Sequence, residues 1–129
     1  MSEWQERDLE EKIHAILADV QYYRPEHHFG RPFLTAYQLA IEFARRYPQD
    51  FAQLGFQIGG KGIGERVSLT QYLAGQLSTR IQSREITDIE GGFLSNQHLN
   101  SIIFDHDGQQ IESSLTQTPF DLSMFRLHE

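Results

Sequence analysis

The sequence predicts an α+β fold in which three main helices precede a small antiparallel sheet. Three stretches begin with Ser or Thr followed three residues later by Gln, and each leads into apolar residues at helical spacing. Beyond residue 84 the apolar residues form short runs separated by glycines and by an Asp-Gly pair, as is typical of strands and tight turns. The length of 129 residues favours one domain, residues 1–129, with a single core.

The first helix is predicted over residues 3–21. Ser2 and Gln5 are placed to form a capping box, in which each side chain hydrogen-bonds the other residue's backbone N–H. The apolar stripe of this helix consists of Trp4, Leu9, Ile13, Ile16, Leu17 and Val20. Such a stripe packs against its own domain or, as the alternative, against a second copy in a homodimer.

A helical core is predicted over residues 33–84. Its first helix begins at Thr35, which is spaced for a capping box with Gln38, and ends at Pro48. A short helical turn then ends at Gly55, since glycine accepts the left-handed conformation that closes many helices.

The most strongly signalled helix follows Ser68, which is spaced for a capping box with Gln71. Its apolar side consists of Leu69, Tyr72, Leu73, Ala74, Leu77 and Ile81. Its opposite side consists of Gln71, Gly75, Ser78, Thr79 and Gln82. Amide and hydroxyl groups of this kind donate to and accept from base edges, but an ordinary polar surface helix explains them equally well.

A glycine-rich loop, residues 59–64, precedes this helix. It lacks the Lys-Ser/Thr pair of a Walker loop and the glycine spacing of a dinucleotide fingerprint. Two interpretations stay open. In the first, the loop holds a phosphate through Lys61, Arg66 and backbone N–H groups at a helix N-terminus. In the second, the loop is only a tight connection.

The charge distribution singles out the middle of the chain. The net charge is -7, yet residues 24–84 carry eight basic and four acidic residues. Residues 1–23 and 85–129 are both acidic. A positive middle favours a polyanionic partner, whereas ion pairs between the middle and its flanks are the alternative.

The second half is predicted to be a β-hairpin region over residues 85–115. A strand over residues 85–89 should break at Gly91-Gly92, and strands over residues 100–104 and 109–115 should pair across a type I′ turn at Asp107-Gly108. Residues 116–129 are too apolar for a free tail and are expected to dock as an edge strand or turn.

Helices followed by a strand pair make an order that resembles a winged helix-turn-helix. The helix after Thr35 corresponds to the supporting helix, the helix after Ser68 to the recognition helix, and the hairpin at Asp107-Gly108 to the wing. This resemblance implies DNA as a partner. The residues expected at base edges are Gln71, Ser78, Thr79 and Gln82. The residues expected at phosphates are Lys61, Arg66 and Arg84.

Two other function classes remain open. A winged-helix-like adaptor without nucleic-acid binding would use the N-terminal helix or the apolar tail to bind a protein partner. An enzyme is less favoured, since no catalytic signature is present. Its only candidate side chains are His98, Asp105, His106 and Asp107, which turn chemistry explains.

Composition narrows the remaining chemistry. The absence of cysteine excludes disulfides, thiolate zinc sites and cysteine nucleophiles. The adjacent His27 and His28 lack any metal-site spacing, so no metal and no cofactor are predicted. No apolar run is long enough to span a bilayer, which predicts no membrane partner and a cytoplasmic location.

Overall fold

A computed structural model describes residues 2–63 and 67–128, which form five helices and two small antiparallel sheets. The helices are α1 (Glu3–Glu6), α2 (Leu9–Ala18), α3 (Ala36–Arg46), α4 (Pro48–Leu54) and α5 (Leu69–Gln82). The strands are β1 (Leu34–Thr35), β2 (Ile89–Leu94), β3 (Ile103–His106), β4 (Gln109–Glu112) and β5 (Leu122–Leu127). The predicted α+β class is confirmed, but the described chain has five helices where three main ones were expected.

All three predicted capping boxes form. At the start of α5 the hydroxyl of Ser68 accepts from the backbone N–H of Gln71 at 3.0 Å, and the amide oxygen of Gln71 accepts from the N–H of Ser68 at 3.1 Å. Ser2 and Thr35 cap α1 and α3 in the same reciprocal way. These local contacts decide where the helices begin, because they satisfy backbone donors that have no partner inside the helix.

The continuous helix predicted over residues 3–21 is wrong, since it is divided into α1 and α2. Asp8 adopts a left-handed conformation with φ of 51° between them. The break brings the guanidinium of Arg7 within 3.1 Å of the Asp50 carboxylate on α4. Lys12, one turn into α2, donates to the same carboxylate. The local sequence pattern does not predict this break, because the carboxylate that Arg7 and Lys12 bind lies on a helix distant in sequence.

The helical core differs from the prediction at its start. Leu34 and Thr35 form a strand before α3 begins, so residues 33–84 are not helical throughout. Pro48 stops α3 as predicted and also starts α4 at its first position, where a missing N–H costs nothing. Gly55 ends α4 with φ of 76°, as predicted.

The C-terminal segment is the central strand of the main sheet, which runs in the order β1, β5, β2. Phe125 pairs with Leu34 on one side and with Gly91 on the other. The expectation of an edge strand or turn is therefore wrong. The predicted strand over residues 85–89 is also displaced, because β2 continues through both Gly91 and Gly92.

Glycine at position 91 has a packing reason. A Cβ there would lie 3.2 Å from the ring of Phe125, closer than most side chains tolerate. The missing side chain lets the Phe125 ring lie against β2 and become buried. Gly91, which the sequence pattern suggests as a strand breaker, is therefore a strand residue that leaves space for a neighbouring aromatic ring.

The hairpin of β3 and β4 forms at the predicted turn, with slightly shorter strands than predicted. Asp107 and Gly108 have φ of 52° and 82°, as a type I′ turn requires. Phe104 of β3 stacks on Tyr37 of α3 with ring centroids 4.9 Å apart. The hydroxyl of Tyr37 accepts from the backbone N–H of Ser114 at 3.0 Å. The hairpin is thus packed against α3, and Leu122 of β5 belongs to the same buried cluster as Tyr37 and Phe104.

The main core lies between α2, α3, α5 and β5, each of which contributes apolar side chains. Its fully buried members are Leu9, Ile13, Ile16, Leu17, Leu39, Phe43, Leu69, Leu73 and Leu77. Burial of such side chains is the main favourable free-energy term in folding.

Because of Asp50, the free energy of unfolding should decrease as the pH becomes acidic. Burial alone would raise its pKa, but hydrogen bonds from Lys12 and Arg7 outweigh burial and hold the pKa below its usual value. A carboxyl with a lowered folded pKa stabilises the fold above its unfolded pKa of about 3.9, and that contribution is lost as pH falls through the folded value. Asp50→Asn should therefore cost about 1 kcal/mol at neutral pH and progressively less below about pH 4.

Urea unfolding of both chains at several pH values measures this difference. Asp107→Asn is the matched control, since Asn accepts the same turn conformation. A difference between wild type and Asp50→Asn that stays constant down to about pH 3 would contradict the assignment.

Candidate interaction surfaces

The structure places α5 with its leucines inward and its uncharged side outward. Leu69, Leu73 and Leu77 are fully buried. The side chains of the exposed face are Gln71, Ser78, Thr79 and Gln82, with Gly75 among them. A Cβ at Gly75 would meet no atom within 4 Å, so nothing in the described chain packs on the helix at this position. Gln71 is partly engaged, because its amide oxygen serves the cap.

The basic residues of the middle segment do not form a positive strip among the described residues. The ammonium of Lys61 pairs with Glu112 of β4 at 2.9 Å. Arg80 is mostly buried, pairs with Glu85 and lies over the Trp4 ring at 4.9 Å. Arg84 is exposed just after α5, and Arg66 lies outside the described residues. Arg46 also pairs with Asp19 at 2.9 Å, so ion pairing with the acidic flanks accounts for three of the cations in the middle segment.

The first backbone N–H groups of α5 already have partners within the chain. The N–H of Leu69 donates to Gln57 at 2.7 Å, that of Thr70 to Ile58 at 3.0 Å, and that of Gln71 to the Ser68 hydroxyl. Each of these bonds occupies a group that an anion would need. The structure therefore gives the phosphate-holding interpretation of the loop no support at this helix end.

The described part of the glycine loop is a tight connection packed against β4. A Cβ at Gly60 would lie 2.7 Å from the carbonyl oxygen of Glu112, and φ at this residue is 103°. The N–H of Lys61 donates to the same carbonyl at 3.0 Å. Glycine is required here because the two backbones approach too closely for any side chain.

Gly60→Ala should destabilise the fold by about 2 to 4 kcal/mol, because it adds a steric overlap to an unfavourable φ. Gly62→Ala is the matched control. Gly62 has a similar φ of 97° but open space at its Cβ, so only the backbone cost of about 1 kcal/mol applies. Thermal or urea unfolding measures both, and equal losses would show that the contact with Glu112 is unimportant.

A second surface lies between α5 and the outer strand β2. It is a groove of about 400 Å³ with Ser78, Ile81 and Gln82 on one wall and Gly91 to Phe93 on the other. Phe93 stands at its rim with 71% of its surface exposed. An aromatic side chain this exposed beside a groove is unusual for a surface with no partner.

The outer edge of β2 is open. The N–H of His128 donates to the carbonyl of Asp88, so Asp88 faces β5. Because antiparallel strands alternate, Glu90, Gly92 and Leu94 also point their backbone groups toward β5. The backbone groups of Ile89, Gly91 and Phe93 then point away from the sheet, and no described residue hydrogen-bonds them.

Exposed apolar side chains continue past the end of this strand. Leu94 follows Phe93, and Phe120 is 65% exposed. Asn96 holds the two segments together, since its side-chain amide donates to the carbonyl of Phe120 at 2.8 Å and its backbone N–H donates to Asp121 at 3.0 Å. Phe93, Leu94 and Phe120 are the exposed apolar side chains near this end of β2, and we call them the β2 apolar patch. Leu94 points to the face of the strand opposite to Phe93, because successive side chains in a strand alternate. The sequence pattern does not reveal these residues as a patch, because the two glycines predict a strand break before Phe93.

The other candidate residues do not assemble into a site. Within residues 2–63 and 67–128, no three His, Asp or Glu side chains are grouped so as to hold a metal ion. His27 and His28 stack on each other at 4.5 Å. His98 is exposed, and His106 with Asp105 and Asp107 belongs to the hairpin. None of the helices in the described ranges combines the length and apolarity that crossing a membrane requires.

Comparison with known proteins assigns no family to the chain. No protein-family model matches the sequence, and no curated protein or solved structure is significantly similar to it. Function is therefore inferred from the surfaces of the molecule itself.

Proposed function

We propose that this chain is a winged-helix-like interaction module that binds a protein partner through the β2 apolar patch. One observation carries the proposal. Phe93 is 71% exposed beside a groove, and Leu94 and Phe120 are further exposed apolar side chains near the same end of β2. Clustered apolar side chains of this size mark interaction sites more often than ordinary surface. The proposal assigns the chain no catalytic role.

The winged-helix-like description is supported by topology. The elements α2, β1, α3, α5, β2 and β5 follow one another in the order expected for helices and strands of such a domain. The sheet order β1, β5, β2 makes the last strand central. Helix α4 lies between α3 and α5, the two helices that correspond to the helix-turn-helix. The β3–β4 hairpin lies between β2 and β5. Because many folds of this kind bind protein as well as DNA, topology alone leaves the partner open.

Electrostatics favour a protein over a polyanion. The net charge is -7, and the hairpin that would act as a wing carries Asp105, Asp107 and Glu112. DNA phosphates would be repelled by these carboxylates. Lys61, the cation beside the hairpin, already pairs with Glu112.

Phe93→Ser should remove most of the partner captured by the tagged chain from its native extract, since Phe93 is the most exposed member of the patch. Phe29→Ser is a matched control. Phe29 is 72% exposed, but its carbonyl binds Arg126, whose partner Glu90 lies on the opposite face of β2. Quantitative mass spectrometry compares the captured polypeptides, with and without nuclease. Equal capture by both variants, or capture that nuclease abolishes, would overturn the proposal.

DNA binding is the second candidate, favoured by the exposed and uncharged face of α5. On this proposal Gln71, Ser78, Thr79 and Gln82 contact base edges. The phosphate contacts come from Lys61, Arg66 and Arg84. A second backbone or a phosphate approaching Gly75 would account for a helix-interior glycine with open space around it.

Fluorescence anisotropy with duplex DNA at low salt tests this candidate. Lys61→Ala should weaken binding to all sequences and reduce the salt slope by about 1, whereas Gln82→Ala should relax sequence preference. Glu112→Gln releases Lys61 from its ion pair and should strengthen binding. No retention of random or genomic DNA by the wild-type chain would end the candidate.

A further inference from the structure

We propose that the partner at the β2 edge is a second copy of this chain, joined so that the two main sheets become one continuous antiparallel sheet. This inference rests on the proposed function, because it names the occupant of the same surface. It is carried by the open edge, by the position of the charges along β2 and by the presence of an exposed ring and a groove on the same strand.

The open edge supplies the hydrogen bonds. Gly91 and Phe93 direct backbone N–H and C=O groups outward, and no described residue pairs with them. An unpaired strand edge is a template for another strand, and proteins usually protect such an edge with charge, proline or a covering element. Here the outward-facing residues Ile89, Gly91 and Phe93 carry no charge and no proline. The edge is therefore suited to pairing.

The charges restrict the register. With Gly91 paired to Gly91 of the second copy, Glu90 lies across from Gly92 and Asp88 across from Leu94. No two carboxylates then face each other. Centring the pair on Ile89 would instead set Glu90 opposite Asp88, which like-charge repulsion disfavours. A twofold axis at Gly91 thus gives a self-complementary edge, as a symmetric dimer requires.

The same register brings apolar surfaces together. Phe93 of each copy lies across from Ile89 of the other and on the same face, which is the face of the groove between α5 and β2. The groove of about 400 Å³ has room for a phenyl ring. Each copy contributes one exposed ring and one groove, so the pairing would cover both. Association would therefore bury Phe93 while adding backbone hydrogen bonds.

The experiment is a pair of opposite charge substitutions at one position. A side chain at Gly92 fits, since its Cβ would lie 3.7 Å from Met124 in ordinary contact. In the Gly91 register, the carboxylate introduced by Gly92→Glu faces Glu90 of the other copy and repels it. The ammonium introduced by Gly92→Lys faces the same Glu90 and attracts it. The dimer dissociation constant from analytical ultracentrifugation should rise with Gly92→Glu and fall with Gly92→Lys, each by roughly 2- to 30-fold.

A measurement on the wild-type chain needs no substitution. Residue-resolved amide hydrogen exchange should show protection at Gly91 and Phe93 that increases with protein concentration. Protection at Glu90 and Gly92 should be constant, because these amides bond to β5 in the monomer. These internal controls separate edge pairing from a general change in stability.

Two results would overturn the inference. The first is a chain that stays monomeric up to about 1 mM with Gly91 and Phe93 amides unprotected. The second is a dimer whose affinity moves in the same direction with both substitutions at Gly92. If the chain is monomeric but Phe93→Ser still loses a captured partner, the interaction function stands and only the second copy is excluded. If the dimer behaves as expected and the only polypeptide that Phe93→Ser loses is the untagged copy of the chain, the partner is the chain itself.

Discussion

The pairing of β5 with two strands at once is the constraint on which the rest of the structure depends. β1 has only two residues and β2 contains two adjacent glycines, so neither is a strong strand by itself. β5 lies between them, and its Phe125 pairs with both, opposite Leu34 and Gly91. Since β1 leads directly into α3 and β2 follows α5, this one strand sets how the two helices sit relative to the sheet. It also leaves β2 as the outer strand, which creates the open edge.

The sequence predicted the features that depend on neighbours a few residues apart. Ser68 and Gln71 form the expected reciprocal cap, and Asp107-Gly108 forms the expected turn, because both need only local backbone geometry. The features that failed depend on distant residues. The division of the first helix at Asp8 is linked to Asp50 on α4, and the continuity of β2 through Gly91 depends on the Phe125 ring. No local pattern contains that information.

In the candidate site, too, the features that depend on nearby residues were predicted and those that depend on distant residues were not. The outward orientation of Gln71, Ser78 and Gln82 follows from helical periodicity, and the structure agrees with it. The charge of a segment, in contrast, does not reveal where its cations are paired. Lys61 meets Glu112 only because the glycine loop packs on β4, and Arg80 is drawn onto Trp4 near the start of the chain. The apolar patch went unpredicted because Phe93 and Phe120 are brought together by Asn96 and by the pairing of β2 with β5.

The central position of β5 also bears on how the chain is made. On a translating ribosome, β1 and β2 are synthesised before residues 122–127, so the main sheet has no middle strand until that segment has left the exit tunnel. Until then the nascent chain holds helices whose apolar faces lack their sheet, and it displays unpaired strands to chaperones or to other chains. The main sheet of this domain is therefore completed only when one short strand inserts between two strands that were synthesised before it.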